Sequence, residues 1–434
     1  MARICIVGTG HVGLVYGVAF ALGGHRVVAV DIDARAIALL SKGKPTFFEP
    51  GLEPALKRAL RTKRLSFSGD IAGGVQDAKV AFLCVGTPSR PDGSIDLSYL
   101  EAAARTVGEG MRSARDYQVI AVKSTVLPGT TEAIVRPALE KTSGKVAGRD
   151  FGLCVNPEFL REGSAVEDAR KPDRIVIGAL DTRSARALAA VYRGTKCKKL
   201  TTDLRTAEMV KYATNAFLAT KVSFANELAN LCDAFGKLNV DRVVEGMALD
   251  PRINPRFLKA GLGFGGSCFP KDVRAIVAAG REHGYESRLL DATLKVNDLQ
   301  PMRAVDLAER AVGTLEGKRV VILGLSFKGG SDDVRESRAI PLARALIQRG
   351  ATVVGYDPEA GDAFRAEVPE AEVAPDVRSA LAQADVCIVH NDWPQWSELR
   401  AAHFAGMRRK TVVDGRRILR REAMKGVELV VLGG

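Results

Sequence analysis

The chain opens on a short apolar run, ARICIVG, and through the first 200 residues such runs recur at RVVAVD, VAFLCVG, YQVIAVKS and FGLCVN. Between them lie segments whose apolar residues return every three or four positions, among them LVYGVAFALGG and LSYLEAAARTVGEGM. Continuous apolar runs suit strands covered on both faces, so the alternation predicts a parallel sheet flanked by helices. From about residue 203 the period changes: TAEMVKYATNAFLATKVSFANELANLCDAFG keeps helical spacing without a breaker. It predicts one long helix, followed by further helices to about residue 312. Strand punctuation returns in KRVVILGLSF, ATVVGYD, ADVCIVHND, KTVVDG and VELVVLGG. The expected fold class is α/β, with doubly wound domains at 1–202 and 313–434 joined by a helical connector at 203–312.

Composition narrows this picture. Hydrophobic residues at 46%, charged residues at 26% and 43 glycines exclude a collagen, a coiled coil or a largely disordered chain. The seven cysteines stand singly, with no CxxC pair; an odd, scattered set argues against a disulfide framework and makes the cytoplasm the expected compartment. The start, MARICIVGTGHVG, lacks a signal-peptide pattern, and no stretch reaches the roughly 20 apolar residues of a membrane helix. The formal charge of +12 could suit a polyanion. Most basic residues alternate with acids, only RRKTVVDGRRILRRE is clustered, and no nucleic-acid motif accompanies it, so no nucleic-acid partner is expected.

The first chemistry lies where the opening strand meets Gly8, Gly10 and Gly13, with His11 and Val12 inside the turn and Asp31 ending the next strand. In such a GxGxxG the first glycine makes the tight turn, the second admits a pyrophosphate and the third lets helix and strand pack closely. The helix start offers free amides to phosphate, and Asp31 would accept from ribose hydroxyls. This order of elements predicts a Rossmann-like dinucleotide site. Asp31 favours NAD over NADP, although Arg35 lies near enough in sequence to face an extra phosphate. CVGTP and KSTVLPGTT end later strands, so Thr87, Ser124 and Thr125 are candidates for the same cleft, with turn and cap duty the alternative for Ser124.

Further along, NPEFLREG carries Glu158 and Glu162 four apart, on one face if that segment is helical. One could serve as a base; a solvated helix start explains them equally on spacing alone. Lys211 and Asn215 are also one turn apart, an arrangement able to hold a developing oxyanion, though a surface face accounts for the spacing too. The sharpest local signal is FLKAGLGFGGSCFPKD. Four glycines, Gly261, Gly263, Gly265 and Gly266, deliver Cys268 just before a helix led by Pro270, with Lys271 adjacent. A thiol so placed should have thiolate character. Cys5, Cys84, Cys154 and Cys387 lie in apolar strands and read as core, Cys232 reads as helix packing, and Cys197 within KCKK reads as exposed. The histidines other than His11 read as surface or loop residues, and no metal spacing is present, so no metal site is expected.

A dinucleotide site combined with a nucleophilic cysteine suggests two successive oxidations. The thiol would trap an aldehyde as a thiohemiacetal, a second hydride loss would give a thioester, and water would release an acid. GTGHVG with Asp31, CVGTP, STVLPGT, NPEFLREG, KYATNAF, FLKAGLGFGGSCFPKD, LGLSFKGGSDDVRES and VVDGRR resemble, in this order over nearly the whole chain, the UDP-glucose 6-dehydrogenase family. That resemblance implies NAD as cofactor, UDP-glucose as substrate and UDP-glucuronate as product, in a fold with a nucleotide-binding domain at each end of a long helix. It implies that Cys268 is the covalent nucleophile with Asp272 as its partner, that Lys211 and Asn215 clamp the oxyanion, and that Glu158 and Thr125 handle the proton and the water. Glu162 would sit near the nicotinamide, and Lys271 beside the cofactor. Phe159, Leu160, Phe257, Leu258, Lys259 and Gly265 would frame the nucleotide sugar, with Lys328 and Arg416 reaching it from the last domain. Arg252 resembles an arginine that enters a neighbouring subunit's site, implying a homodimer or larger assembly. Relatives oxidise GDP-mannose or UDP-N-acetylhexosamines by the same chemistry. The latter carry a histidine before the cysteine, where this chain has Ser267, and Gly329 and Gly330 follow Lys328 where relatives often have a charge. A β-hydroxyacid dehydrogenase also pairs GxGxxG with Lys and Asn one turn apart, but removes a single hydride.

Overall fold

The computed structural model describes all 434 residues, which fall into two compact units, Met1–Thr214 and Asn215–Gly434. The first unit holds eight strands: β1 (Arg3–Val7), β2 (Arg26–Val30), β3 (Leu65–Ser68), β4 (Val80–Leu83), β5 (Val119–Val122), β6 (Gly152–Val155), β7 (Arg174–Ala179) and β8 (Lys198–Thr202). They lie in the order β3-β2-β1-β4-β5-β6-β7-β8. All neighbours are parallel except β6 and β7. The strand order reverses between β1 and β4, which leaves a crevice at their carboxyl ends, the usual ligand position in such sheets.

The second unit repeats the plan with β9 (Arg319–Leu323), β10 (Thr352–Tyr356), β11 (Glu372–Val373), β12 (Val386–Val389), β13 (Thr411–Asp414) and β14 (Glu428–Val431). Its order, β11-β10-β9-β12-β13-β14, is wholly parallel. Each sheet carries a hydrophobic cluster on either face; in β1, Ile4 and Ile6 point to one and Cys5 and Val7 to the other. This two-sided burial is why the central strands read as unbroken apolar runs. The helix His11–Leu22 is buried on most of its circumference, as a helix apolar all round must be. The long helix Leu204–Phe235 runs 32 residues, as its period predicts.

Four strands have no counterpart in the sequence reading. β3 and β11 close sheet edges, and β8, KKLTT, is an edge strand with nearly every residue exposed; edges need no apolar run. β7, RIVIGA, is apolar and buried but runs against β6. Cys197, read as exposed, is half-buried and packs against the core. No helix is long and apolar enough to cross a membrane.

Candidate active site

The glycine turn after β1 is built by close approach. Gly8 has φ +98, and a Cβ there would meet the Cys84 carbonyl at 2.9 Å; one on Gly13 would lie 1.9 Å from the Gly8 carbonyl oxygen. Gly10 differs: a Cβ would meet nothing within 4 Å. As N-cap of the helix His11–Leu22 it supplies no side-chain cap, so the first amides face open space with the positive end of the helix dipole behind them. Asp31, ending β2, accepts through Oδ2 from the Thr9 amide (2.6 Å) and hydroxyl (2.8 Å) and is thereby fixed beside the turn. Uncapped amides, clearance at Gly10 and an anchored carboxylate on the next strand fit a dinucleotide. Val12 packs against the core and Arg35 is exposed. Thr87 is buried and donates to the Thr125 carbonyl at 2.9 Å. Ser124 donates to the Val85 carbonyl at 2.6 Å, which gives it turn duty.

The segment Asn156–Gly163 is not helical, so Glu158 and Glu162 do not share a helix face, contrary to the conditional reading of their spacing. Asn-Pro at its start disfavours helix, and Glu158 folds back to accept from the Leu160 amide at 2.6 Å. Buried Glu158 pairs with buried Lys211, Oε1 to Nζ at 2.8 Å. Burial would raise the Glu158 pKa, but the Lys211 charge and hydrogen bond, the Leu160 amide and the charge of Lys123 outweigh it and hold the carboxyl below its usual value. Phe159 lies under the Arg174 guanidinium, 3.8 Å from its ring centroid, with Lys211 5.6 Å away; Leu160 packs against the core. His11 stacks on Phe47 and stands 3.3 Å from Glu49. Burial lowers its pKa, yet Glu49, Glu162 and Glu158 together raise it. The acid loop therefore approaches the glycine turn, and Thr125 lies in the loop that follows β5.

In the second unit Cys268 is the N-cap of the helix Phe269–Glu282, with Pro270 in its first turn. Its Sγ lies 3.6 Å from the Ser267 hydroxyl. One turn on, Asp272 is 1% exposed. Its two oxygens accept from Asn215 Nδ2 and Lys271 Nζ, both at 2.6 Å. The preceding loop needs its glycines: a Cβ on Gly265 would sit 2.2 Å from the Glu336 carbonyl, and one on Gly266 2.7 Å from the Phe327 ring. Buried Asn226 accepts from the Gly261 amide (2.8 Å), and Asn297 bonds both the amide and the carbonyl of Phe264 (2.6 and 3.0 Å). These two asparagines, absent from the sequence reading, hold the loop that carries the thiol; their only signal is a polar residue on the apolar side of a helix.

Phe257 has φ +67, an uncommon state for a bulky residue. Leu258 is buried. Arg416 lies across Gly261, where a Cβ would be 2.6 Å from its Nη1. It pairs with Asp392 at 3.3 Å, and its buried Nε has no hydrogen-bond partner. Partial burial and then the Arg416 charge lower the pKa of Lys259. The FLKAG and DGRR segments thus converge, and Lys328 stands over the Phe327 ring at 5.4 Å. Gly329 suits its place: its amide bonds Asp392, and a Cβ would lie 2.6 Å from the Trp393 backbone nitrogen. Arg252 projects into solvent, paired only locally with Asp250. His390 corrects the reading of surface histidines. It is buried at the end of β12 with Nδ1 3.0 Å from the Gly324 carbonyl, and burial, followed by the charge of Arg416, pushes its pKa down to about 4. No group of three or more His, Cys, Asp or Glu side chains is gathered to hold a metal ion.

Comparison with known proteins gives this geometry a context. The UDP-glucose/GDP-mannose dehydrogenase family matches in three consecutive parts: its NAD binding domain at residues 2–196, its central domain at 205–299 and its UDP binding domain at 321–421. The chain belongs to the UDP-glucose/GDP-mannose dehydrogenase family. It is 45% identical to the UDP-glucose 6-dehydrogenase AglM of Haloferax volcanii, over 99% of this chain and 100% of that one. It is 37% identical to the GDP-mannose 6-dehydrogenase of Azotobacter vinelandii, over 95% and 96%. The solved UDP-glucose dehydrogenase of Pyrobaculum islandicum superposes with a TM-score of 0.92 at 45% identity, covering 99% of this chain and 97% of that one. The protein is accordingly an NAD-dependent oxidoreductase, and the glycine turn lies in its NAD binding domain.

The UDP binding domain repeats the signature of the NAD binding domain but spends it internally. Gly324 follows β9 as Gly8 follows β1, and Asp357 follows β10 as Asp31 follows β2. Asp357 Oδ2 accepts from the Leu325 amide (2.7 Å), the Ser326 amide and hydroxyl (both 3.1 Å) and Trp393 Nε1 (3.1 Å). The Asn391 side chain fills the turn, 2.0 Å from where a Gly324 Cβ would lie. A dinucleotide has no such opening here.

Proposed function

We propose that this dehydrogenase oxidises carbon 6 of UDP-glucose twice, to UDP-glucuronate, through a covalent intermediate on Cys268. Bound NAD supplies the hydride acceptor, one molecule for each oxidation. The observation that carries the reading is the thiol at a helix N-terminus with a buried aspartate one turn on, fixed by Asn215 and Lys271. A single oxidation to a ketone needs neither.

In this reading Glu158, aided by Thr125, receives the proton as the alcohol becomes aldehyde. The Cys268 sulfur adds to the aldehyde carbon, and Lys211 and Asn215 stabilise the oxygen that bears the developing charge. Loss of the second hydride turns the thiohemiacetal into a thioester. Water, activated by Asp272 or Glu158, adds to it and expels the thiolate. The balance is one alcohol, one water and two NAD in; one carboxylate, two NADH and three protons out. Phe159, Leu160, Phe257, Leu258, Lys259 and Gly265 would frame the nucleotide sugar with Lys328 and Arg416. The 203–312 segment would be the connector that carries the thiol. Gly8, Gly10, His11, Val12, Gly13, Asp31, Arg35, Thr87, Glu162 and Lys271 would bound the cofactor. Self-association is supported by Phe217, Phe224 and Leu231, exposed at seven-residue spacing on the long helix, and Arg252 would enter the neighbouring site.

The test is stoichiometric. Purified protein given limiting UDP-glucose and excess NAD should form two NADH per sugar, with GDP-mannose and a UDP-N-acetylhexosamine turned over far more slowly. One NADH per substrate would favour the single-hydride alternative, and preference for another sugar nucleotide would reassign the substrate. Cys268→Ser should bind UDP-glucose near normally yet release no UDP-glucuronate.

A further inference from the structure

Lys123, at the carboxyl end of β5, is a lysine only 1% exposed. Its ammonium donates to the Asn156 carbonyl (3.2 Å), to Asn156 Oδ1 (2.9 Å) and to the Tyr192 hydroxyl (3.5 Å). It also stands 3.7 Å from the centroid of the Tyr16 ring. Asn156 in turn donates to the Val176 carbonyl at 2.8 Å, so the ends of β5 and β6 are stitched to the middle of β7. That stitch does not require a charge. Tyr192 already donates to Asn156 Oδ1, and a neutral donor in place of the ammonium would complete the set without desolvating a cation.

What the charge reaches is the acid two residues beyond Asn156. We propose that Lys123 is a positioning residue whose buried positive charge keeps Glu158 ionised, ready to accept a proton, while its hydrogen bonds to Asn156 fix the start of the loop that carries Glu158. This rests on the reading of Glu158 as the proton acceptor. The charge on Lys123 lowers the proton affinity of Glu158, after the larger effects of burial, which opposes, and of Lys211 and the Leu160 amide. The groups that bear on Lys123 come from every neighbouring element: Tyr16 on the first helix, Cys84 after β4, Glu158, Tyr192 and Lys211. Burial pushes its own pKa down to about 8, with the charge of Lys211 adding to the effect and that of Glu158 opposing it. Two cations and one carboxylate therefore share a dry pocket, and the carboxylate is the member held charged by both others.

The variant is Lys123→Gln, whose amide can still donate to Asn156, compared with Tyr192→Phe, which removes a hydrogen bond and no charge. Lys123→Gln should displace the acid limb of the kcat pH profile to higher pH than in wild type. Tyr192→Phe should lower the melting temperature and leave that limb in place. An unmoved limb in Lys123→Gln, or an equal shift in Tyr192→Phe, overturns the proposal. If Lys123→Gln does not fold, Lys123→Arg, which keeps the charge, should retain the wild-type limb, and a displaced one overturns it. A readout without turnover separates this from failure of the reaction assignment. In a double-mutant cycle of urea unfolding, Lys123→Gln and Glu158→Gln should be non-additive by at least about threefold in the unfolding constant. Additivity there refutes the coupling even if UDP-glucose proves to be the substrate.

Discussion

Alanine at Gly10 and alanine at Gly13 should fail in opposite ways, although the two glycines belong to one turn. A Cβ on Gly13 would lie 1.9 Å from the Gly8 carbonyl oxygen and 3.1 Å from an Ile6 methyl. Real contacts of this kind need about 3.0–3.4 Å, so the helix and turn must part by more than about 1 Å, and overpacking of this sort costs about 1–3 kcal/mol or more. At roughly 2–4 °C per kcal/mol for a unit of this size, Gly13→Ala should melt the NAD binding domain about 2–12 °C early. At Gly10 the added methyl meets nothing within 4 Å, and φ −65 suits alanine. The small N-cap preference for glycine is offset by about 0.4–1 kcal/mol of unfolded-state entropy. Its stability should stay within about 1 kcal/mol of wild type. The same methyl stands where the helix amides would meet a pyrophosphate, so NAD affinity should fall at least about tenfold, or 1.4 kcal/mol. Scanning calorimetry reads the first quantity and isothermal titration with NAD the second. Wild-type NAD affinity in Gly10→Ala, or an unchanged melt in Gly13→Ala, would refute the assignment of these tasks.

Asn215→Ala removes one of two donors to buried Asp272 and, by the proposed role, one oxyanion donor. Turnover should drop roughly 100-fold to 1000-fold with the KM for the sugar nucleotide within about threefold, and a loss in kcat below about threefold excludes Asn215 from the clamp. Lys123 makes stability depend on pH with a definite sign. Its folded pKa of about 8 lies below the ordinary 10.5, so between those values the unfolded chain holds a proton the native one has lost, and rising pH stabilises the fold. Urea unfolding at pH 7.5 and pH 10.5 should show wild type gaining up to about 3 kcal/mol on Lys123→Gln; a constant difference would show that the buried ammonium does not titrate there.

Much of the fold was legible because central parallel strands must be apolar on both faces. β1, β2, β4, β5 and β6 all announce themselves this way, as do β9, β10, β12 and β13; β14 is apolar in sequence although it is a half-exposed edge. Three of the strands that escaped were not subject to that demand: β8 is a solvent-facing edge, and β3 and β11 close sheet edges; the fourth, β7, is apolar and buried yet runs against β6. Among candidate site residues, the thiol was legible because glycines and a helix-starting proline bracket it. Lys123 was passed over although a lysine closing the run YQVIAV is itself odd. Glu49, which caps the acid loop through the amides of Gly163 and Ala165 (2.9 and 2.8 Å) and stands beside His11, had no local signal at all. The amides it accepts from are more than a hundred residues away in sequence.

That dependence on distant residues is sharpest where one pattern recurs with two outcomes. A glycine after the first strand and an aspartate after the second occur in both domains, and in both the aspartate accepts from the amides of the turn. Local sequence distinguishes them only by the extra glycines of GxGxxG. The structural difference is space. In the NAD binding domain the turn leaves Gly10 with nothing within 4 Å, so the helix amides stay available to a ligand. In the UDP binding domain Asn391 and Trp393, arriving from the end of β12, occupy the turn and use up Asp357. The side chains that decide whether the motif binds a dinucleotide or braces the sheet are supplied some 65 residues later, beyond the reach of any reading of the motif itself.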